Sequence, residues 1–151
     1  MLERLFPAQL DNNYKGWRTA LWLFGLGVLV RALQSVMIIF NSQTTVKGAD
    51  GIPLDSYPAD ASANIVAMFG QSSLWRLIFC LAGAVVLIRY RTAVPMMCLL
   101  FLLVWVAAQL LSIWTPLVRT GTPPGTYVNL VMAGLMALAL VLSLVPRRIA
   151  A

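Results

Sequence analysis

Histidine is absent from this 151-residue chain, and acidic residues are scarce: five Asp and Glu stand against eleven Lys and Arg. Without histidine there is neither a Ser-His-Asp triad nor an imidazole metal site. The two cysteines, Cys80 and Cys98, lie inside apolar runs without CxxC spacing, so no disulfide scaffold is indicated. Both are expected to be buried, reduced thiols, inert in apolar surroundings. No carboxylate falls within a long apolar run, which argues against a proton relay, a haem or metal centre, and metal-assisted hydrolysis. Nothing reads as a phosphate-cradling loop. No catalytic residue, cofactor or metal is therefore expected.

What the chain has instead is apolar length. It is 60% hydrophobic and 11% charged, where soluble domains carry about 25% charged residues. The net charge of +6 does not indicate nucleic acid, because the cations stand singly or in pairs beside apolar runs rather than clustered on one face. Their natural partner is the lipid bilayer.

Spanning a bilayer takes about 20 apolar residues, and four runs supply them: about 17–40, 61–88, 93–115 and 127–145. The pattern predicts one all-α integral membrane domain, a four-transmembrane-helix bundle. Residues 1–16, with Leu2, Leu5, Phe6 and Leu10 on one short face interrupted by Pro7, are expected to lie at the interface. Cleavage of this segment as a signal peptide is not expected, because its charged and apolar parts are in the wrong order. Asp55, Ser56 and Pro58 mark the start of the second run as capping or first-turn residues, and Asp60 suits the positive end of that helix. Residues 89–92 leave room only for a tight helical hairpin, Pro95 is tolerated in a first turn, and 116–126 form a turn rich in Pro and Gly. No internal repeat links the two hairpins, so an inverted-repeat transporter has little support.

Orientation follows from the cations. Arg4, Lys15, Arg18, Arg89, Arg91, Arg147 and Arg148 fall on one side, and only Lys47 and Arg119 on the other. The positive-inside rule sets both termini in the cytoplasm and loops 41–60 and 116–126 outside, with Tyr and Trp residues near both boundaries. A bacterial inner membrane is the expected location.

Two residues disturb the apolar runs. Arg31 and Arg76 each sit deep within a span, where a charge costs about 2.5–3.5 kcal/mol. Helical spacing sets Arg31 on a face with Gln34 and Ser35, and Arg76 on an arc with Gln71, Ser72 and Trp75. Trp105, Gln109 and Ser112 form a stripe on the third span, and Asn129 lies near the outer end of the fourth. The intramembrane polar groups thus gather in the outer half. An ordered outer loop containing Asp50, Asp55 and Asp60 is expected to fold over them, with Asp55, Asp60, loop carbonyls and the nearby amides bonding to the two arginines and the carboxylates neutralising them. In the other arrangement, Arg31 and Arg76 line an outward-facing cavity that grips the oxygens of a bound amphiphile, as planar guanidinium groups do well.

The chain lacks the paired cysteines of vitamin K epoxide reductase-like proteins and the Glu, Arg and Asn pattern of membrane-associated glutathione-handling enzymes. Its layout looks like that of many small four-helix bacterial inner-membrane proteins, a likeness that assigns no residue a role. Small size and missing reactive groups point first to a non-enzymatic accessory or assembly subunit that associates with other membrane subunits or with itself. The alternative is a binder or small carrier of a phospholipid, a quinone or another anionic amphiphile, built on Arg31 and Arg76.

Overall fold

The computed structural model describes residues 2–145. Six α-helices follow one another there: α1 (Leu2–Leu5), α2 (Arg18–Phe40), α3 (Ser42–Gly48), α4 (Ala59–Arg89), α5 (Val94–Trp114) and α6 (Pro124–Leu144). Four of them, α2, α4, α5 and α6, are long and apolar enough to cross a membrane. Pro146, Arg147 and Arg148 lie outside the described residues.

Prolines set several boundaries. α5 carries Pro95 in its first turn, and α6 starts at Pro124, three residues before the expected Tyr127. Proline suits a helix start because its fixed φ is already helical and no N–H is left orphaned. α4 starts after Pro58 with no side-chain cap. The capping role expected of Asp55 and Ser56 is not filled, because both belong to a separate 3-10 turn, Leu54–Ser56. At the other end of α4, a 3-10 turn over Arg91–Ala93 reverses the chain into α5.

α2 packs along both α4 and α6, and α5 packs along α6. Small residues permit these approaches: Gly27 of α2 lies under Met136 of α6, and Gly83 of α4 lies against Phe24 and Val28 of α2. Ser35 and Ser73 are buried on α2 and α4. The main core joins Phe24 and Val28, Cys80, Met97 and Cys98, and Met136 and Ala139, in the half of the bundle nearer the α4–α5 hairpin. Cys80 and Cys98 are free and buried within it.

The α4–α5 seam is different. These helices are consecutive, yet they touch little beyond the hairpin. Phe79 and Phe101 meet with ring centroids 4.6 Å apart, and from Val106 through Trp114 every residue of α5 is exposed. Bulky Trp75, Arg76 and Phe79 here face bulky Phe101, Val104 and Trp105, without the glycines that ease the α2–α4 and α2–α6 seams.

The N-terminal segment straps the hairpin end. Asp11 N–H donates to Thr92 Oγ1 at 3.0 Å, Thr92 N–H donates to Asp11 O at 3.1 Å, Trp17 N–H donates to Leu142 O at 3.2 Å, and Arg4 Nη1 donates to Leu144 O at 3.1 Å. At the opposite end, α4 has 31 residues, about 46 Å at 1.5 Å per residue. It is therefore longer than the roughly 30 Å hydrocarbon core. Its first turns carry Ile65, Val66 and Phe69 against Val46, Ile52 and Leu54, a second small core supplied by the connection between α2 and α4.

That connection is also tied to the one before α6. Thr120 N–H donates to Gly51 O at 2.7 Å and Gly125 N–H to Ala49 O at 3.0 Å. The crossing needs a left-handed backbone at Gly51, φ 68°, where an added Cβ would also meet Thr120 O and Pro123. Asp50 sits in this tie, half-buried. Burial raises its pKa above the usual carboxylate range, and the positive charges of Arg119 and Arg76 only partly offset this. A carboxyl whose folded-state pKa is raised stabilises the fold when protonated, and that contribution is lost as pH rises through the folded value. Asp50→Asn is accordingly expected to raise the melting temperature in detergent at pH 7, with the gain over the parent protein vanishing below about pH 4; an equal gain at both pH values would contradict this.

Candidate functional site

Arg31 lies thirteen residues beyond the start of α2, and Arg76 lies thirteen before the end of α4. Both starting points are at the hairpin end, so the two guanidinium-bearing residues stand at the same height, about 20 Å along the bundle. Trp105 is eleven residues into α5, and Asn129 is fifteen before the end of α6, at about 16 and 22 Å. Four helices thus bring polar residues to one level.

They converge on a cleft of about 420 Å³ at the open α4–α5 seam, with Arg31, Arg76, Trp75, Trp105, Gln109 and Asn129 among its lining residues. This volume lies within the range of small-molecule sites. Phe79 and Phe101 line it beside the main core, with Val104 and Ala108 on the α5 wall. Trp75 is 72% exposed along the seam.

The hydrogen bonding is lopsided. Arg31 Nη1 donates to Asn129 Oδ1 at 2.5 Å and, more weakly, to Gln34 Oε1 at 3.4 Å. Among the described residues Arg76 has no hydrogen-bond partner, and the Trp105 indole Nε1 is buried without one. A guanidinium offers five N–H donors and an indole one, and neither accepts. The cleft therefore presents unused guanidinium donors, while its Asn129 acceptor is already engaged by Arg31 and the indole N–H is covered by the protein's own atoms.

The expected neutralisation of Arg31 and Arg76 by Asp55 and Asp60 does not occur. The only salt bridge among the described residues joins Asp55 to Lys47 at 2.5 Å, with the Asp55 side chain 86% exposed. Asp60 is exposed in the first turn of α4, sixteen residues before Arg76. Helix rise separates those two by about 24 Å, far beyond side-chain reach. Gln34 meets Arg31 from outside the cleft wall, and Gln71 is exposed on α4 without lining it. The cleft thus unites Arg31, Trp75, Arg76, Trp105, Gln109 and Asn129, and leaves Gln34, Gln71, Asp55 and Asp60 outside.

Several lining residues were not singled out from the sequence: Phe79, Phe101, Val104 and Ala108. The signal that could have found them is helical spacing, since Phe79 follows Arg76 by three and Phe101 and Ala108 flank Trp105 by four and three.

A second cavity, about 490 Å³, lies between the N-terminal segment and the hairpin end. It holds Glu3 and Asp11 as well as Arg4 and Lys15, so both charge signs are present. The Tyr14 hydroxyl is buried there, and burial pushes its pKa well above the ordinary phenol range.

The protein matches no known family, no curated protein and no solved structure. What the site can do follows from its own groups. Asn129→Ala removes the short acceptor from Arg31 and is expected to cost about 1.5–3 kcal/mol of stability, the range for hydrogen bonds to charged groups. Asp55→Asn breaks an exposed pair and is expected to cost less than about 1 kcal/mol. Thermal unfolding of both variants in one detergent checks the order, and a larger loss from Asp55→Asn would reverse it.

Proposed function

We propose that this protein binds an anionic amphiphile within the membrane, its head on Arg31 and Arg76 and its chain along Phe79, Phe101 and Val104. The observation that carries this reading is the convergence of unused donors on an apolar cleft, with no salt bridge from either arginine among the described residues. A ligand that only accepts hydrogen bonds and bears negative charge completes such a site. No side chain at the cleft is a nucleophile paired with a base, so binding or carriage is proposed and not catalysis.

A second reading keeps the chain as an accessory subunit of a larger membrane complex. It is favoured by the wholly exposed stretch from Val106 through Trp114 beside the open seam, which offers a helix from another subunit a groove to fill.

In either case the cation distribution supports cytoplasmic termini, which sets the cleft in the outer half of a bacterial inner membrane. Gln43, exposed on α3, then faces outward. A Gln43→Cys variant is expected to react with a membrane-impermeant maleimide on intact spheroplasts; protection until lysis reverses the topology.

The two functional readings separate on extraction in mild detergent followed by mass measurement of the intact particle. A ligand-binding protein retains an anionic amphiphile, lost in Arg31→Gln and Arg76→Gln variants that still fold. Retention unchanged in both variants sinks the binding reading, and recovery inside a larger assembly with an empty cleft favours the subunit.

A further inference from the structure

The charge of the cleft narrows its ligand, granted the proposed binding role. Two guanidiniums line one cleft at the same height, and guanidinium keeps its proton even in apolar surroundings. The groups touching Arg31 are neutral amides, Asn129 and Gln34. Arg76 touches no acceptor among the described residues, and the Lys47–Asp55 pair is remote from both. The cleft therefore carries two positive charges that its own walls do not balance; Asp50, the loop carboxylate that feels Arg76, neither lines the cleft nor forms a salt bridge with that arginine. A neutral quinone leaves both unbalanced, and a phosphodiester lipid with one negative charge leaves one. A phosphomonoester carries close to two negative charges at neutral pH and has three terminal oxygens, enough to accept from Arg31 and Arg76 together.

The route is equally constrained. At the loop end, the connections on either side are tied by Thr120 to Gly51 and by Gly125 to Ala49. Along the bundle flank, α4 and α5 stand apart, with Trp75, Val104 and Gln109 exposed on the cleft walls. The wider way in runs through the bilayer. Aromatic and aliphatic side chains line that way, which suits an acyl or isoprenoid chain attached to the head.

We infer that the occupant of the cleft is a membrane-borne phosphomonoester, a dianionic head on a long apolar chain, admitted sideways between α4 and α5.

The test compares phosphatidate with phosphatidylmethanol of the same acyl chains, which differ by one methyl group and one negative charge. Each is titrated at pH 8 into purified protein in nanodiscs of neutral lipid, with intact-particle mass as the readout. Phosphatidate is expected to bind at least tenfold more tightly, and an isoprenoid monophosphate to compete with it within a few fold. Arg76→Gln is expected to shrink the preference to twofold or less, while Arg76→Lys, which keeps the charge, retains most of it. Because Arg76 has no protein partner among the described residues, its replacement is expected to leave folding intact, which the thermal midpoint verifies.

Equal affinity for the two lipids, both lost on Arg76→Gln, overturns the dianion while leaving the amphiphile-binding role standing. Binding of neither, or binding indifferent to both arginines, overturns the role itself. Displacement of phosphatidate by micromolar inorganic phosphate overturns the membrane-borne source, since a head alone then suffices.

Discussion

The constraint on which this structure turns is that two cations lie midway along apolar helices while no carboxylate lies at their depth. A positive charge at such depth must be hydrated, paired with an anion or held by neutral acceptors. The protein uses the third solution for Arg31, whose guanidinium is held by Asn129 across the α2–α6 seam. That bond fixes the height of α2 against α6, and α4 takes its register from the same helix through Gly83 and Phe24. Arg76 has no such acceptor on α5. The α4–α5 seam, with neither a polar link nor a glycine approach, stays open.

The bundle divides into halves with different physics. Toward the hairpin, Phe24, Cys80, Met97, Cys98 and Met136 are buried together and fill the interior. Toward the loops, interior volume is given over to a cleft, and closure passes to the connections, where Val46, Ile52 and Leu54 build a separate small core on the projecting turns of α4. A solid base thus supports an open upper wall, so side-chain positions at the cleft floor are set by the rigid half.

The four long helices were legible in the sequence because the bilayer imposes a length and an apolar composition that single residues cannot hide. The convergence of Arg31, Arg76, Trp105 and Asn129 was legible in depth, since helix rise converts sequence position into height. Their shared cleft was not, because which seam opens depends on the relative rotation of four helices and on where glycine permits close approach. The pairing of Asp55 and Asp60 with the arginines was misjudged for a plain reason. α4 runs unbroken through Asp60, and its length carries that carboxylate well away from Arg76. Asp50 is the loop carboxylate that feels Arg76, brought there by a chain reversal at Gly51 that no periodic pattern announces.

The N-terminal strap carries a further consequence for how the protein is made. Arg4 is held by the carbonyl of Leu144, 140 positions later, and Trp17 by that of Leu142. Those two contacts therefore wait for the insertion of α6, whereas the bonds between Asp11 and Thr92 need only the α4–α5 hairpin. Closure of the strap onto α6 is a ring-closing contact of long sequence separation, whose entropic cost is met only when the helices already stand side by side. A chain stalled before α6 leaves Arg4 and Trp17 without their carbonyl partners while Asp11 can already reach Thr92, so the segment docks in two stages, hairpin first and α6 second.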